Sequence, residues 1–371
     1  MGKFLKRHVE TVFIMLGNSC NMNCVYCLQH PLVHQPLSSK VNPEIYDFLA
    51  ELAEANGERG IHLQFYGGEP LLYYSVIKEI VSETKRRYIR CNYSTISNGR
   101  ALTDEMVDFF NANDFPVTIS WDGYHTKETR LFDVFSHPKL KERILRLKWL
   151  GLSGVISSRA YPMELLTAFQ DISDEYEKIH GYKVRINLDA IFDTGITEKS
   201  LLDVDYDRVA REMHEMATLY LKASLSGVQE ARDYTKLVYI ERFFQQLRDF
   251  YITKNGAWNR YTAPCGNGFT VLNLDVEGNL YPCHNTSERV GTIHTPFFSY
   301  MEEVLKGDPT MRHREKCLEC PAVSCCKGGC KLVTDKAREE TYCKLKKALA
   351  VPVIQAFEEY GRRMGGERDG T

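Results

Sequence analysis

The stretch that decides the fold runs from residue 17 to residue 28 and reads Gly17-Asn18-Ser19-Cys20-Asn21-Met22-Asn23-Cys24-Val25-Tyr26-Cys27-Leu28. It is a polar loop that follows an apolar, strand-like run at 11–16. The thiols of Cys20, Cys24 and Cys27 have a C-x3-C-x2-C spacing, and an odd set of crowded thiols cannot pair evenly as disulfides. Such thiolates suit iron–sulfur clusters or zinc. Zinc would need a fourth ligand such as His30, whereas a cluster held by three cysteines keeps an open iron for catalysis.

The composition limits the class of protein. The chain has 371 residues, a length typical of roughly two to three domains, and a formal net charge of −2. We expect no nucleic-acid partner, because nucleic-acid-binding domains are usually clearly basic. No apolar run is long enough for a signal peptide or a membrane span, so the 12 cysteines indicate metal ligation in a reducing compartment. The sequence therefore predicts a cytoplasmic protein with no membrane contact.

Strand and helix patterns alternate over the first half of the chain. Strands are predicted at 11–16, 62–65, 92–96, 116–120, 154–159 and 183–188, and helices at 43–57, 75–87, 103–113, 139–150 and 163–180. This alternation predicts βαβ units and a parallel sheet. Six such units would form an α/β fold, a partial (β/α)6 barrel of the TIM type, with its active face at the carboxyl ends of the strands.

The second half of the chain has a different pattern of predicted secondary structure. It contains two long helical patterns at 206–225 and 234–253, a β-hairpin at 269–282, a short helix at 297–305 and a final helix at 344–364. We predict three segments: the barrel at 1–202, a helical bridge at 203–260, and a small cysteine-rich α+β domain with a β-hairpin at 261–371.

Seven further cysteines form a second pattern. Cys265 is followed by Gly278 and Cys283, then by Cys317-x2-Cys320-x5-Cys326-x3-Cys330, and finally by Cys343. Because C-x2-C pairs are also typical of zinc sites, a pair of zinc knuckles is the alternative.

The first motif, with Tyr26 at its aromatic position, resembles the signature of the radical S-adenosylmethionine (SAM) enzymes. In that family the open iron of a 4Fe–4S cluster binds SAM, and reductive cleavage of SAM yields a 5′-deoxyadenosyl radical that abstracts hydrogen. The second pattern is similar to the SPASM extension of peptide- and protein-modifying members, in which seven thiolates hold two auxiliary 4Fe–4S clusters. The resemblance therefore implies SAM and three 4Fe–4S clusters as cofactors.

The resemblance also assigns roles to individual residues. The cluster ligands would be Cys20, Cys24 and Cys27 for the SAM cluster, Cys317, Cys320, Cys326 and Cys343 for the distal cluster, and Cys265, Cys283 and Cys330 for the proximal cluster. Cys325 lies outside the pattern and could complete the cluster held by Cys265, Cys283 and Cys330, act as a radical or proton donor, or take no part. The SAM-binding residues would be Tyr26, Gly67, Gly68, Glu69, Pro70, Ser97, Asn98, Ser120, Asp122, Ser157 and Arg159, most of them in turns after strands two to five. Asp122 is equally consistent with a turn residue, and Arg159 with a surface residue.

The layout is similar to that of the anaerobic sulfatase-maturating enzymes. Those enzymes carry an Asp general base after the cysteine that follows the hairpin, where this chain has His284. A His could take a proton near neutral pH, or donate a hydrogen bond to a cluster sulfur. The candidate catalytic residues are therefore His284 and Cys325. Because only ten residues precede the first strand, we expect no N-terminal winged-helix domain for peptide recognition.

These patterns predict an enzyme, a radical SAM oxidoreductase that modifies a ribosomally made peptide or protein. The product would be a carbon–sulfur or carbon–carbon cross-link or an oxidised residue. The expected partners are the peptide or protein substrate and a low-potential electron donor such as flavodoxin or ferredoxin. The substrate would be recognised either by the barrel and the extension or through a separate recognition protein. Three alternatives stay open: a radical SAM dehydrogenase or cofactor-pathway enzyme acting on a small molecule, a formylglycine-forming sulfatase maturase, and a metal-binding scaffold without catalysis.

Overall fold

A computed structural model describes residues 9–29, 40–226, 233–251, 265–266, 270–306 and 315–366. The hypothesis about His30, the predicted helix end at 253 and the predicted hairpin start at 269 lie outside these residues. Contacts within the chain divide it into two compact units. The first comprises residues 1–120, 132–151 and 265–308, and the second comprises residues 121–131, 152–264 and 309–371.

The first unit contains seven strands and five helices among its described residues. The strands are β1 (Thr11–Met15), β2 (Ile61–Tyr66), β3 (Cys91–Ser97), β4 (Val117–Ser120), β7 (Val271–Asp275), β8 (Asn279–Tyr281) and β9 (Gly291–Thr292). The helices are α1 (Glu44–Ala55), α2 (Tyr74–Arg86), α3 (Asp104–Ala112), α5 (Pro138–Leu145) and α9 (Phe297–Leu305). Short 3₁₀ turns at Gly57–Arg59, Pro70–Tyr73 and Val134–Ser136 complete it.

The strands of the first unit have the order β4-β3-β2-β1-β7-β8-β9. Neighbours from β1 to β4 are parallel, with Val12 opposite Leu63 and Thr95 opposite Val117. The predicted hairpin is present, and its first strand β7 pairs parallel to β1, with Val12 opposite Leu272. The sequence did not indicate that the hairpin extends the parallel sheet.

The core of the first unit follows from the sequence periodicity. Strand β2 buries Ile61, Leu63 and Phe65 at alternate positions, as expected for one face of a sheet. Helix α1 buries Ile45, Phe48, Leu49 and Leu52 at helical spacing. At the start of α3, the Thr103 hydroxyl accepts a hydrogen bond from the amide of Met106 at 3.2 Å and so caps the helix.

The second unit is mainly helical in its described part. Its helices are α4 (Thr126–Thr129), α6 (Pro162–His180), α7 (Tyr206–Ser226), α8 (Tyr234–Tyr251), α10 (Glu315–Leu318), α11 (Val323–Cys326), α12 (Asp335–Ala337) and α13 (Cys343–Gly366). A π-helical turn at Arg338–Tyr342 leads into α13. Two neighbouring strands belong to this unit: β5 (Leu150–Ile156), which begins at the boundary of the units, and β6 (Arg185–Ala190).

Helices α7 and α13 pack against each other in the second unit. Helix α7 buries Met213, Met216 and Ala217, and α13 buries Leu345, Leu349 and Val353. Helix α7 is therefore amphipathic, with an apolar stripe and with its charged residues outside that stripe. This pattern is why the bounds of α7 could be predicted from the sequence.

One pair of predicted boundaries was wrong. Helix α5 ends at Leu145 rather than near residue 150, and β5 spans Leu150–Ile156 rather than 154–159. Gly151 and Gly154 weakened the strand signal, because glycine has low strand propensity. Both sites need glycine: a Cβ on Gly151 would lie 2.7 Å from the Thr118 hydroxyl, and one on Gly154 would lie 2.9 Å from the Trp121 carbonyl.

The fold class predicted from the sequence is confirmed: the protein is a mixed α/β protein whose parallel sheet does not close. This is the partial-barrel class, in which the turns at the carboxyl ends of the strands share one edge. Among the helices in the described ranges, none combines the length and the apolar character needed to cross a bilayer.

Candidate functional site

The first cysteine loop follows directly from the carboxyl end of β1. Its three thiols are half-buried, and a turn closes it between the amide of Cys27 and the carbonyl of Cys24 at 3.2 Å. The Cys20 sulfur accepts a hydrogen bond from the amide of Met22 at 3.4 Å. Burial raises the pKa of Cys20, and the neighbouring charges of Glu69 and Cys27 raise it further. Thus Cys20 and Cys27 are close enough to interact electrostatically.

The glycine turn after β2 lies against this loop. The amide of Gly68 donates to the carbonyl of Gly17 at 2.9 Å, and the amide of Glu69 donates to the carbonyl of Ser19 at 2.8 Å. A Cβ on Gly67 would lie 2.3 Å from the Gly17 carbonyl oxygen, and one on Gly68 would lie 2.4 Å from that of Ser19. Only glycine permits this approach of two backbones. The turn predicted for cofactor binding therefore also supports the cysteine loop.

The Glu69 carboxylate connects the end of β2 to the end of β3. It is buried and accepts hydrogen bonds from the Leu71 amide (3.0 Å), the Ser97 hydroxyl (2.7 Å) and the Asn98 amide (2.8 Å). Burial raises its pKa, although these three donors oppose the rise. Since its oxygens are engaged within the protein, the geometry gives Glu69 a role in positioning the two turns. Pro70 is also buried and begins the 3₁₀ turn that follows.

The turn after β3 reaches the cysteine loop through side chains. The Asn98 amide group donates to the Asn21 side-chain oxygen at 2.8 Å and approaches the Cys20 sulfur at 3.8 Å. The Arg100 guanidinium donates to the Asn21 carbonyl at 2.7 Å and stacks over the ring of Phe132, 4.6 Å from its centroid. Asn98 is thus a sulfur neighbour, as expected for a residue near a cluster ligand.

Sequence reasoning missed several residues that support the loop. Tyr73 accepts a hydrogen bond from the Ser19 amide at 3.0 Å, and Gln29 donates to the main-chain oxygen of His284 at 3.0 Å. Asn21 and Arg100 are the other two. Arg100 directly follows the Ser97-Asn98-Gly99 motif, which was a usable signal. The other contacts depend on distant segments of the chain, so no spacing could reveal them.

Asp122 lies in the second unit, and both of its carboxylate oxygens accept hydrogen bonds there. It accepts hydrogen bonds from the Thr129 hydroxyl (2.7 Å), the Val155 amide (2.9 Å) and the Arg130 guanidinium (3.2 Å). Its side chain is buried. The geometry therefore favours the alternative considered for Asp122, a residue that fixes the turn.

Two more predicted residues follow β5. Ser157 is fully buried in a tight turn, where its amide donates to the carbonyl of Ala160 at 3.0 Å. Arg159 is exposed, and its Nε lies 3.7 Å from a carboxylate oxygen of Glu128. The half-buried Ser120 ends β4, and Tyr26 is half-buried within the cysteine loop.

His284 packs into the aromatic face at β1 and β2. Its ring stacks on Phe13 at a centroid distance of 4.2 Å and meets Tyr66 edge-on at 4.6 Å. Burial lowers the pKa of His284 to about 4. Its Nδ1 is buried and has no hydrogen-bond partner among the described residues. A neutral ring of such low basicity fits the predicted hydrogen-bond donor better than a general base at neutral pH.

The cysteines predicted to hold the distal cluster lie together in the second unit. Burial raises the pKa of Cys326 to about 11, and the nearby thiolates of Cys343, Cys320 and Cys317 add to the rise. The pKa of Cys343 is also raised, by burial first and by Cys317 and Cys320 after it. The charges of these four thiols therefore act on one another.

The loop that carries Cys326 and Cys330 is held by a buried arginine. The Arg338 guanidinium donates to the carbonyls of Gly328, Cys330 (2.9 Å) and Val333 (3.2 Å). The Cys330 amide donates to the hydroxyl of Tyr342 at 3.3 Å. These protein contacts therefore hold the loop in place.

The remaining predicted residues have distinct surroundings. Cys283 is buried and accepts a hydrogen bond from the Asn285 amide at 3.4 Å, whereas Cys265 in the same unit is exposed. Cys325 is half-buried, and burial raises the pKa of its thiol. It therefore stays protonated at neutral pH, as a proton or hydrogen-atom donor must.

The cysteines supply free thiols, which both iron–sulfur clusters and zinc can bind. All 12 cysteines are thiols rather than disulfides. Within the ranges that the structure describes, no three His, Cys, Asp or Glu side chains converge on a position for one metal ion. A zinc site needs its ligand atoms about 2.0–2.3 Å from one ion, whereas a 4Fe–4S cluster spreads its thiolates over the corners of a cube. Donors such as Asn98 beside Cys20 are the outer contacts that tune cluster sulfurs.

Comparison with known proteins agrees with this site. Residues 14–161 match the radical SAM superfamily. A cysteine-type anaerobic sulfatase-maturating enzyme of Clostridium novyi (strain NT) is 25% identical over 344 residues, which cover 85% of this chain and 86% of that enzyme.

Solved structures share the fold at low sequence identity. Native anSMEcpe with bound AdoMet and Cp18Cys peptide has a TM-score of 0.65 at 18% identity, covering 96% of this chain and 99% of that one. Streptococcus suis SuiB bound to precursor peptide SuiA has a TM-score of 0.56 at 13% identity, covering 88% of this chain and 72% of that one. The radical SAM family implies SAM and a 4Fe–4S cluster as cofactors. The chain therefore carries a radical SAM domain and is a homologue of the anaerobic sulfatase-maturating enzymes.

Proposed function

We propose that the protein is a radical SAM maturase that modifies a residue of a ribosomally made peptide or protein. The observation that carries this proposal is the alignment to a sulfatase-maturating enzyme over 85% of the chain, far beyond the radical SAM domain at 14–161. A chain that shared only the domain would share only its cofactor chemistry. Likeness over this length favours a shared class of substrate.

In the proposed mechanism, Cys20, Cys24 and Cys27 hold the first cluster. When bound there, the cluster and SAM supply a radical that abstracts a hydrogen atom from the substrate. The chain's own contribution is positioning, because radical abstraction needs no acid–base pair. Gly68 lets the turn after β2 approach the cysteine loop, and Glu69 fixes that turn to the next one.

The second cysteine set extends the proposal to two auxiliary clusters. Cys317, Cys320, Cys326 and Cys343 hold one, and their mutual electrostatic influence supports this grouping. Cys265, Cys283 and Cys330 hold the other. These clusters would take the electron that leaves the oxidised substrate, and a low-potential donor such as flavodoxin or ferredoxin would supply the first cluster.

Formation of formylglycine in a sulfatase is the second candidate function. The alignment to a cysteine-type sulfatase-maturating enzyme favours it. The expected general base is absent, because His284 occupies its position and has a stacked ring of low basicity. We therefore place a cross-link or another oxidised residue first.

Anaerobic reconstitution tests the proposal. The protein should bind about twelve irons, as three clusters of four irons require, and should form 5′-deoxyadenosine from SAM and a strong reductant. About four irons would remove the auxiliary clusters and favour a small-molecule substrate. If the protein bound zinc in place of iron and formed no 5′-deoxyadenosine, the proposal that it is a radical SAM enzyme would be refuted.

A second experiment separates the two candidate functions. A cysteine-containing sulfatase peptide and a set of candidate precursor peptides are incubated with the reconstituted enzyme. A hydrazide reagent that detects aldehydes would reveal formylglycine, and mass spectrometry with and without reduction would reveal a cross-link. If only the sulfatase peptide were modified, and the product were an aldehyde, sulfatase maturation would be favoured. That result would contradict our preferred product.

A further inference from the structure

The aromatic side chain of Tyr73 covers the main chain just before the first predicted cluster ligand. A Cβ on Gly17 would lie 2.2 Å from both Cζ and the hydroxyl oxygen of Tyr73. The same hydroxyl accepts a hydrogen bond from the amide of Ser19 at 3.0 Å. The phenol therefore extends from Gly17 to Ser19, and Cys20 is the next residue in the chain. The mechanism described above gives this side chain no role.

This contact explains why residue 17 is a glycine. The φ angle of Gly17 is not positive, so its backbone conformation does not require glycine. Apart from its chain neighbours, the three heavy atoms nearest to the position of its Cβ all belong to the side chain of Tyr73. Carbon atoms in van der Waals contact are about 3.5–4.0 Å apart, so a side chain at residue 17 would overlap the ring. Gly17 is therefore required by Tyr73 and not by a turn.

The ring of Tyr73 is held at both of its ends. Tyr73 closes the 3₁₀ turn Pro70–Tyr73, and α2 follows directly. The start of this turn is fixed by the Glu69 carboxylate, which accepts a hydrogen bond from the Leu71 amide at 3.0 Å. The main chain of Tyr73 is thus held by the turn, and its hydroxyl is held by the hydrogen bond to the cysteine loop. A methyl group on residue 17 would therefore displace that loop.

The segment 68–73 holds the residues before Cys20 through three hydrogen bonds. Its first two amides donate to the carbonyls of Gly17 and Ser19, at 2.9 and 2.8 Å respectively. The third bond joins the Tyr73 hydroxyl to the amide of Ser19. The same segment begins in the glycine turn that is predicted to bind SAM. One short segment therefore belongs to the predicted SAM site and also contacts the main chain that leads into a predicted cluster ligand.

We propose that Tyr73 is a positioning residue that fixes Cys20 relative to the glycine turn, and so fixes the first cluster relative to SAM. This inference rests on the proposed function, because the first cluster and SAM belong to it. Tyr73 acts through the main chain of residues 17–19 rather than on a reacting atom. A change in its ring should therefore alter the affinity of the protein for SAM, while the first cluster stays bound.

The test measures SAM binding by calorimetry on anaerobically reconstituted protein in its oxidised state, in which SAM is not cleaved. Tyr73→Phe removes only a solvent-exposed hydrogen bond and should weaken binding about twofold. Tyr73→Ala also removes the ring and should weaken it about fivefold. Gly17→Ala should weaken it about tenfold or more, because the overlap with the ring moves the loop. Tyr74→Phe is the control, since its hydroxyl contacts the carbonyl of Glu105 on α3, and it should leave binding unchanged.

A double variant separates positioning from a general loss of stability. Because removal of the ring makes room for the methyl group, Gly17→Ala/Tyr73→Ala should bind SAM about fivefold more weakly than the wild type, as Tyr73→Ala does. Independent effects would instead multiply to about fiftyfold. Gly17→Ala/Tyr73→Phe retains the ring and should show no such rescue. The electron paramagnetic resonance spectrum of the reduced cluster with SAM should shift and recover in the same order.

Several outcomes would overturn the proposal. They are multiplied losses in the double variant, rescue by Phe, and unchanged SAM affinity in Gly17→Ala. A fall of about four irons per chain in these variants would assign Tyr73 to cluster retention and also overturn it. If circular dichroism shows that Gly17→Ala does not fold, Tyr73→Ala tests the proposal by itself, since unchanged SAM affinity in that variant would contradict it. Failure of the proposed function would appear separately, as unaltered protein that forms no 5′-deoxyadenosine.

Discussion

The side-chain amide of Gln29 donates a hydrogen bond to the main-chain oxygen of His284 at 3.0 Å, across 255 positions of sequence. It joins the end of the first cysteine loop to the segment that follows Cys283. The ring of His284 stacks on Phe13 of β1, so this segment is held at the strand from which the loop emerges. Cys283, a predicted ligand of the second cysteine set, is therefore next to a residue that contacts both β1 and the end of the first cysteine loop.

Replacement of Cys24 by Ala should reduce SAM cleavage to background, because a cluster with two protein ligands does not hold an open iron for SAM. Iron should fall by about four per chain. Circular dichroism should be unchanged, since the thiol is only half-buried. Cys91→Ala is the control, and it should keep both iron and activity. Formation of 5′-deoxyadenosine by the Cys24 variant would show that the first motif is misassigned.

Replacement of Cys320 by Ala should have a different effect. The first cluster is intact in this variant, so SAM cleavage should persist while iron falls by about four per chain. Product formation should fail, because the electron path through the distal cluster is broken. Chromatography of 5′-deoxyadenosine and mass spectrometry of the peptide measure the two steps. Full turnover by the Cys320→Ala variant would mean that the distal cluster has only a structural role.

Gly68→Ala tests the contact between the glycine turn and the cysteine loop. The new Cβ would lie 2.4 Å from the Ser19 carbonyl oxygen, so one of the two backbones must move. We expect SAM cleavage to fall at least about tenfold, because small misplacement of a reactive group has a large effect on rate. Gly57→Asn is the control: its position is open, and Asn tolerates the positive φ found there. Equal rates in the two variants would contradict this role.

Glu69→Gln should destabilise the fold rather than act on cofactor binding alone. Two fixed backbone amides and one hydroxyl point at the carboxylate, so the amide group of Gln must face at least one donor. The expected cost is about 1–3 kcal/mol in the free energy of unfolding, measured by denaturant titration. The exposed Glu58→Gln should change it by less than about 0.5 kcal/mol. If Glu69→Gln left the free energy of unfolding unchanged, the carboxylate would not be structurally required.

Arg338→Met should loosen the second cysteine set. It leaves three carbonyls and the space around Tyr342 without their partner, at an expected cost of about 3 kcal/mol. Iron should drop toward the amount held by the first cluster, while formation of 5′-deoxyadenosine persists. Arg338→Lys keeps the charge and should restore part of the iron. Lys336→Met, at an exposed position nearby, should retain all of it. Unchanged iron in Arg338→Met would show that the cluster ligands need no such support.

The sequence by itself determined the fold class and the cysteine sets. Alternating strand and helix patterns predicted the parallel sheet, because hydrophobic periodicity is a local property that each segment carries alone. The spacings of Cys20 to Cys27 and of Cys317 to Cys330 were equally visible, because each set of cysteines is close together in the sequence. The glycine turn could be named for the same reason.

Only the tertiary structure decided how individual side chains are used. In the structure, Glu69 and Asp122 are buried and accept hydrogen bonds. The ring of His284 is stacked on Phe13 and is only weakly basic. The tertiary structure also placed β7 beside β1 and linked Arg242 of α8 to Asp189 of β6 through the side chain of Asn187. These properties depend on burial and on partners far away in sequence. Local spacing carries no information about either, because the electrostatic environment of a side chain is created by the whole fold.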